Sequence, residues 1–415
     1  MNPVHLIGVD PETRRPAPAQ ASRIDKADVI AGGDRLLALF TDRPGRRIPL
    51  RSPLGDVLQA IGEAASQGED VVVLADGDPG FFGIGRMLVE RFGRDAVVLH
   101  PAVTVLQLAA ARLKIPWQDI RAVSLHGRED RAPLMRLLVR EDRVAVYTGP
   151  DAGPARIARD LTARGVDAFR MHVFEDLGGE NERLRSLELE EVPSNAFAAP
   201  NFVILERTRR PELPLRVGVP DDLFLHQGGL ITKKEVRAVG LSSLEIEPGH
   251  TVWDLGAGCG AVAIEASVLA HQGRVFAVER VPERLALIRE NIRRTGAYLV
   301  EPVCGDMREC LGPLPDPDRI FMGGGLSGGG EALEAAVDRV KPGGRLVLHL
   351  VLLGSVFKAL KGLASRGWDA DVTHVQAGRS ARLASDLRIE ALNPVYVVSA
   401  RKPGARQDRG AVDER

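Results

Sequence analysis

Cysteine is scarce in this chain: Cys259, Cys304 and Cys310 are the three present in 415 residues, and no two stand in C-x-x-C spacing. With 9 histidines scattered singly, neither a disulfide framework nor a zinc site is expected, and a reducing cytoplasm is the expected compartment. Long apolar runs are missing too. The longest, Leu346 to Phe357, is broken by His349 and Gly354 and falls short of the roughly 20 residues of a membrane span, so no membrane partner is expected. The opening MNPVHLIGV has no basic stretch, long apolar core or small-residue cleavage site, and a secretory leader is not expected. There is no excess charge of either sign. Lys+Arg numbers 55 against 56 Asp+Glu, which excludes a chain-wide polyanion-binding surface of the nucleic-acid kind; any basic site must be local. No repeat of fixed period occurs, and no Ser-His-Asp, Cys-His or paired-carboxylate constellation stands out.

What is present is an ordinary globular composition, 44% apolar and 27% charged, in a chain long enough for two or three domains. Short β-rich runs alternate with helical periodicity, which predicts an α/β chain. The expected strands are Val4–Val9, Val29–Ala31, Val71–Ala75, Val97–His100, Ala122–Leu125, Val144–Tyr147 and Phe202–Leu205, then Thr251–Leu255, Arg274–Val278, Tyr298–Val303, Arg319–Met322, Arg345–Leu353, Ala370–Gln376 and Val395–Ala400. Helices are expected at Pro53–Gln67, Gly83–Arg91, Val103–Lys114, Ala152–Thr162, Lys233–Leu244 and Pro282–Thr295. The Pro- and Arg-rich RTRRPELPLRVGVP reads as an interdomain linker. The expected organisation is therefore a first domain over 1–207, a linker over 208–220, a second domain over 221–402 and a polar tail over 403–415.

In the second half, Thr251-Val-Trp-Asp-Leu-Gly-Ala-Gly-Cys-Gly260 is a strand that ends on an acidic residue, followed by alternating glycines and the helical Ala261–Leu269. Such a turn lets a ligand approach the backbone closely. Gly256, Gly258 and Ala261 also satisfy a loose dinucleotide fingerprint, with Glu279 placed for a ribose. Asp254 separates the two readings: a carboxylate there repels a pyrophosphate but favours the ammonium and sulfonium of S-adenosylmethionine. Taken singly, Asp254 is equally an acidic turn cap and Glu279 a solvated residue. Gly305-Asp306-Met307 and Phe321-Met-Gly-Gly-Gly325 follow later strands, so all these motifs converge on the ligand-facing edge of one parallel sheet.

The run Gly229-Leu-Ile-Thr-Lys-Lys-Glu-Val-Arg237, together with DLGAGCG, Glu279, GDM and Gly323–Gly325, resembles the decarboxylating precorrin methylases that act on carbon 15, over about residues 217–400. That resemblance implies a Rossmann-like class I methyltransferase fold in which Thr232, Gly256, Ala257, Gly258, Cys259, Gly260, Glu279 and Met307 contact S-adenosylmethionine and Asp306 lies beside the adenine.

The first half carries a different set: Val4–Gly8, Asp28-Val-Ile-Ala-Gly-Gly-Asp-Arg-Leu-Leu37, ADGDPG ending at Gly80, HPAVT from His100 and SLHGR ending at Arg128. Alone, Asp78-Pro79 is an ordinary turn pair and His126 an ordinary strand-end histidine. As an ordered set they resemble the tetrapyrrole methylase family, especially its carbon-5 precorrin branch, over about residues 3–206. The resemblance implies a two-lobed α/β fold with a second S-adenosylmethionine held by Asp76, Gly77, Asp78, Phe81, Val103, Thr104, Tyr147 and Thr148. One departure is the first loop, Gly8-Val-Asp-Pro-Glu-Thr-Arg14, where the family favours Gly-Pro-Gly.

The pair of resemblances points to the fused decarboxylating precorrin methyltransferases. Carbons of a reduced tetrapyrrole are already nucleophilic, so methyl transfer needs chiefly alignment and exclusion of water, which fits the absence of a catalytic dyad. The substrate's many carboxylates make Arg128, Arg131, Arg237, Arg379 and Arg382 the expected clamps, since guanidinium forks bind carboxylates bidentately, although most arginines are simply solvated. Three rivals stay open: a cobalt-containing substrate, a non-catalytic carrier, and a nucleic-acid methyltransferase. The last rests on Asn393-Pro-Val-Tyr396, which lies far from the strand end where such a motif cradles a base. A homo-oligomer is expected.

Overall fold

The computed structural model describes residues 2–127, 130–324 and 330–404. By packing, the chain divides into one compact unit of Met1–Asp130, Glu141–Ala158 and Arg170–Arg207, and another of Arg131–Arg140, Arg159–Phe169 and Thr208–Arg415. Two stretches that precede the expected linker, the helical Arg131–Arg140 and Arg159–Phe169, thus find partners inside the second unit, as in the 2.6 Å ion pair of Arg164 with Glu301.

The first unit opens with β1 (Val4–Val9), β2 (Val29–Gly32), β3 (Arg46–Pro49), β4 (Val71–Asp76) and β5 (Val97–His100), hydrogen-bonded in the order β3-β2-β4-β1-β5. All pairings are parallel. Continuous Val/Ile/Leu runs in β1 and β4 are what a sheet covered on both faces requires. Alternate residues serve the two faces: Leu6, Val71 and Val73 pack with Ile61 and Ala65 of the helix Gly55–Ser66, while Ile7, Val72 and Leu74 pack with Ile24 of the helix Pro18–Lys26. A second sheet holds β6 (Arg121–Ser124), β7 (Arg143–Tyr147), β8 (Phe169–Glu175), β9 (Arg183–Glu188) and β10 (Asn201–Arg207) in the order β6-β7-β10-β8-β9. It is mixed, with β6 and β7 parallel and β7 antiparallel to β10. The expectation missed β3, β8 and β9. In β9, RLRSLE, every side chain is exposed or half-buried, so no apolar alternation marks it.

The second unit is built on β11 (Thr251–Leu255), β12 (Arg274–Glu279), β13 (Val300–Cys304), β14 (Arg319–Met322), β15 (Arg345–Leu350), β16 (Asp369–Val375), the hairpin of β17 (Gly378–Leu383) and β18 (Asp386–Ala391), and β19 (Val395–Arg401). The large sheet runs β13-β12-β11-β14-β15-β19-β16, parallel from β13 to β15, with β19 antiparallel to both neighbours. The chain steps one way from β11 to β13 and the other way from β14 to β15. The carboxyl end of β11 is therefore a topological switch point, where an open α/β sheet leaves a crevice. Two expectations shift: the strand expected to reach Leu353 stops at Leu350 because a helix begins at Leu353, and the hairpin β17–β18, rich in alternating charge, had no strand signal.

The stretch 208–220 is no loose tether. Leu213 N donates to Arg294 O at 2.8 Å, and Gly218 N and Val219 N each donate to the Glu265 carboxylate at 3.0 Å. Arg237, 0% exposed, sits at the centre of this arrangement. Its Nε lies 2.9 Å from Glu265, one terminal nitrogen donates to Asp221 at 3.1 Å and to Thr232 O, and the other to Val219 O at 2.6 Å. Truncating one partner of a buried ionic cluster strands the others, at a cost of about 3–5 kcal/mol. Arg237→Ala is accordingly expected to lower the unfolding free energy of the second unit by about that amount in a urea titration followed by tryptophan fluorescence; a change below about 1 kcal/mol would show the cluster to be dispensable.

Candidate active sites

In the second unit the turn after β11 needs left-handed backbone at Gly256, Gly258 and Gly260, with φ of 72°, 59° and 82°. Side chains rarely adopt these values, which explains the alternation of glycines. A Cβ at Gly258 would meet nothing within 4 Å, so the turn faces open space. Gly260 faces inward instead: a Cβ there would lie 3.1 Å from Ile288. Its lack of a side chain serves helix packing, and Gly260 is the one expected cofactor residue of this unit that lines neither of the two cavities described next.

Two cavities adjoin at Gly256. The smaller, about 340 Å³, is lined by Glu279, Gly305, Asp306 and Met307, and the larger, about 690 Å³, by Thr232, Asp254, Ala257, Gly258 and Cys259. Both share Gly256, Arg284 and Gly323. Nine of the expected cofactor residues of this unit thus converge on one crevice, whose volumes are ordinary for small-molecule sites. A group with a nucleoside end and an amino-acid end fits two cavities joined at a glycine. Arg284, His349 and Asn393 also line the crevice, and no sequence motif marked the first two.

The acidic residues are more engaged than expected. Glu279 accepts from Gly258 N at 2.9 Å and from Val281 N at 3.0 Å, tying the glycine turn to the end of β12. Asp254, 1% exposed, accepts from Ala263 N at 2.9 Å and so caps the helix Ala261–Leu269 from the floor of the larger cavity. Burial, with Glu279 as a lesser contributor, pushes its carboxyl up to about 7. Asp306 shows the opposite: the Arg308 guanidinium, 2.9 Å away, holds it at about 2. Asp306 also caps the short helix Met307–Cys310. Burial raises the pKa of the Cys259 thiol as well.

Of the expected clamps, Arg237 is corrected outright, since a guanidinium with no exposed surface and two carboxylate partners has nothing left for a substrate. Arg379 is taken up by Asp221 and Glu235, each at 2.6 Å, and pins the hairpin to the helix Lys234–Leu244. Arg131 is paired with Asp160 at 3.0 Å and nearly buried. Both guanidiniums are thus engaged by carboxylates of this chain, although Arg379 keeps 40% of its side chain exposed. Arg382 is exposed on β17, and Arg128 lies outside the described residues.

In the first unit the end of β1 and the turns after β4 and β5 touch one another. A Cβ on Gly8 would lie 2.1 Å from Gly77 O, and one on Gly77 would lie 2.9 Å from Val103 O. Thr104 and Gln107 form a reciprocal capping box that starts the helix Val105–Leu113. Asp78 accepts from Gly80 N at 2.8 Å, and Asp76 pairs with Arg35 at 2.5 Å. Val103 and Phe82 stay exposed at 45% and 50%, leaving apolar surface beside these turns. Tyr147, at the end of β7, packs against Phe81, Phe82 and Phe202 with ring centroids 6.0, 5.3 and 4.9 Å apart, and burial raises its pKa. Thr148 donates to Asn201 O across the same strand pair. The expected residues therefore gather at the carboxyl edges of both sheets.

Two α/β units that each present a glycine-bearing turn after an acidic strand end, exposed at Asp76 and buried at Asp254, fit a two-domain methyltransferase, and comparison with known proteins agrees. Residues 4–193 match the family of tetrapyrrole (corrin/porphyrin) methylases and residues 222–402 the precorrin methyltransferase domain. A precorrin-6Y C(5,15)-methyltransferase [decarboxylating] from Sinorhizobium sp is 37% identical over 333 residues, covering 79% of either chain. A cobalt-precorrin-7 C(5)-methyltransferase from Salmonella typhimurium is 37% identical over 48% of this chain and 96% of its own. The crystal structure of a precorrin-6y C5,15-methyltransferase from Geobacter metallireducens is 40% identical with a TM-score of 0.44, covering 46% of this chain and 100% of that one. The chain belongs to the precorrin-6Y C(5,15)-methyltransferase (decarboxylating) family.

The raised Asp254 pKa has a consequence for stability. Between the ordinary carboxyl value and about 7, the folded state keeps a proton that the unfolded chain releases. Stability is therefore greatest below the unfolded value and falls as pH rises toward 7. Asp254→Asn keeps an oxygen for Ala263 N and removes the titration. Its unfolding free energy, measured from pH 4 to 8, is expected to fall less than that of the parent by on the order of a few kcal/mol; parallel curves would refute the assignment.

Proposed function

We propose that the chain methylates precorrin-6B at carbons 5 and 15 and removes the carbon-12 acetate carboxyl as carbon dioxide, giving precorrin-8x in cobalamin biosynthesis. The first unit serves carbon 5; the second serves carbon 15 and the decarboxylation, with 1–207 and 221–402 as the functional domains and 208–220 between them. The observation that carries this reading is the crevice at the carboxyl end of β11, where Gly256 joins two cavities flanked by Glu279 and Asp254. Each unit holds one S-adenosylmethionine, which when bound supplies an electrophilic methyl on a sulfonium.

The residues of this chain do the positioning. Gly256, Ala257 and Gly258 let the ligand approach the backbone, Glu279 fixes that turn from below, and Met307 and Asp306 line the nucleoside end. Asp254 offers negative charge once a cation arrives, which favours its ionised form. Thr232 and Cys259 close the other end. In the first unit Asp76, Gly77, Asp78, Phe81, Val103, Thr104, Tyr147 and Thr148 play the corresponding part. The macrocycle itself accepts the electron pair released with carbon dioxide, so the protein's task is to orient the acetate and exclude water. Arg382, exposed on the hairpin, remains a proposed carboxylate contact. Leu387 and Ile389, 64% and 73% exposed on that hairpin, support a homo-oligomer. Among the described residues no helix is long and apolar enough to cross a membrane, in keeping with a proposed cytoplasmic place.

A cobalt-containing substrate is the second reading, favoured by the likeness of the first half to a cobalt-precorrin methyltransferase. Purified protein incubated anaerobically with labelled S-adenosylmethionine and metal-free precorrin-6B is expected to yield a product with two methyls gained and one carboxyl lost, followed by mass, carbon dioxide release and S-adenosylhomocysteine. Gly258→Arg and Asp78→Arg are each expected to abolish one of the two methylations. Turnover of the cobalt complex alone would favour the second reading, and cofactor binding with neither tetrapyrrole converted would overturn both.

A further inference from the structure

The strand order gives the crevice two flanks. On one side of β11, β12 and β13 bring Glu279, Gly305 and Asp306 to the smaller cavity; on the other, β14 and β15 bring Phe321 and His349 to the larger one. His349 is only 7% exposed. Its ring stands edge-on to Phe321, with centroids 4.6 Å apart and planes at 83°. It also lies against Gly240, where a Cβ would come within 2.4 Å of Nε2, so the glycine makes room for the imidazole. Among the described residues neither Nδ1 nor Nε2 has a hydrogen-bond partner. A neutral imidazole must carry one N–H and one lone pair, and burying both unpaired is unfavourable unless a ligand or a water satisfies them.

The surroundings say which ligand. Burial keeps the ring uncharged by lowering its pKa to about 4. The charged groups that share its cavity are Asp254 on β11, Lys233 ahead of the helix Lys234–Leu244, and Arg284 on the helix Pro282–Thr295; its register partner on β19 is the apolar Val397. Two of these three are cationic, so the cavity has room for an anion beside the cationic end of the cofactor that Asp254 faces. The cofactor turn belongs to β11, two strands away, and its nucleoside flank lies on the far side of that strand.

We propose that His349 is an acceptor-binding residue of the second unit: its imidazole takes a proton from solvent as a carboxylate of the tetrapyrrole enters the larger cavity, and the imidazolium then holds that carboxylate. The inference rests on the tetrapyrrole methyltransferase reading above. An anion in a cavity shielded from water raises the pKa of an adjacent imidazole, and the resulting charge-assisted bond is stronger than a neutral one. Such a bond also stabilises the carboxylate against loss as carbon dioxide. The side chain held by His349 is therefore one that the product keeps, not the acetate that is cleaved.

The test compares the full chain with His349→Gln and His349→Phe. Calorimetric titration with the decarboxylated tetrapyrrole at pH 7, in two buffers of different ionisation enthalpy, counts protons taken up; the parent is expected to take up about one more than either variant. In the carbon-15 reaction, both variants are expected to raise KM for the tetrapyrrole about tenfold, with the Kd for S-adenosylmethionine changed less than about twofold. Equal proton counts, an unchanged tetrapyrrole KM, or a loss confined to cofactor affinity would each overturn the assignment. Should His349→Phe fail to give a cooperative melt, His349→Gln decides by itself. Turnover by the parent with unaltered variants removes only the His349 role, whereas a parent that converts no tetrapyrrole removes the functional reading beneath it.

Discussion

The second unit hangs on one buried guanidinium. Arg237 gathers Asp221, Glu265, Val219 O and Thr232 O around a single planar fork. That fork joins three stretches of chain that no sheet hydrogen bond connects: the extended approach to the unit, the helix Ala261–Leu269 behind the glycine turn, and the 229–233 segment that walls the larger cavity. Asp221 extends the cluster to Arg379 and through it to Glu235, so the hairpin is fixed to the same centre. Ionic clusters of this kind add little net stability over an apolar core, but they are directional, and here direction sets where Thr232 stands relative to Gly256.

The same economy appears in the crevice. Glu279 and Asp254 are both turned toward backbone N–H groups, one tying the glycine turn and one capping a helix. A strand-end carboxylate in a parallel sheet lies at the amino end of the following helix, so supporting the turn and facing the ligand are geometrically compatible tasks. Environment then separates residues of one type: desolvation drives Asp254 up to about 7 while the neighbouring guanidinium holds Asp306 at about 2. A cationic ligand and a neutral nucleoside end suit those two positions respectively.

The two units reach comparable ends by different routes. The second brings its candidate residues to one crevice of one sheet. In the first, turns from one sheet abut one another so closely that Gly8 and Gly77 leave no room for side chains, while Phe81 and Tyr147 bring an aromatic wall from elsewhere in the unit. In both units the candidate residues lie at the carboxyl ends of strands, where N–H groups of the following turns and helix starts point outward and short turns bring several chain segments together.

Much was legible without coordinates. The α/β class, the buried strands β1, β4, β11 and β14, and the glycine turn followed from apolar runs and from glycines at positions that demand left-handed backbone, both of which are local properties. Strands such as β9, β17 and β18 were not legible, since charged and exposed residues leave no period to read. Nor were the fates of the arginines. Arg237, Arg379 and Arg382 look alike in sequence, yet the fold buries the first in an ion cluster, spends the second on two carboxylates and leaves the third exposed. His349 makes the same point in reverse: it interrupts an apolar run as an ordinary polar residue would, and only the packing of Phe321 and Gly240 turns it into a buried, unpaired imidazole at the wall of a cavity. Local backbone geometry is written in neighbouring residues, whereas the partner of a charged or polar side chain is chosen by whichever distant segment the tertiary structure brings within reach.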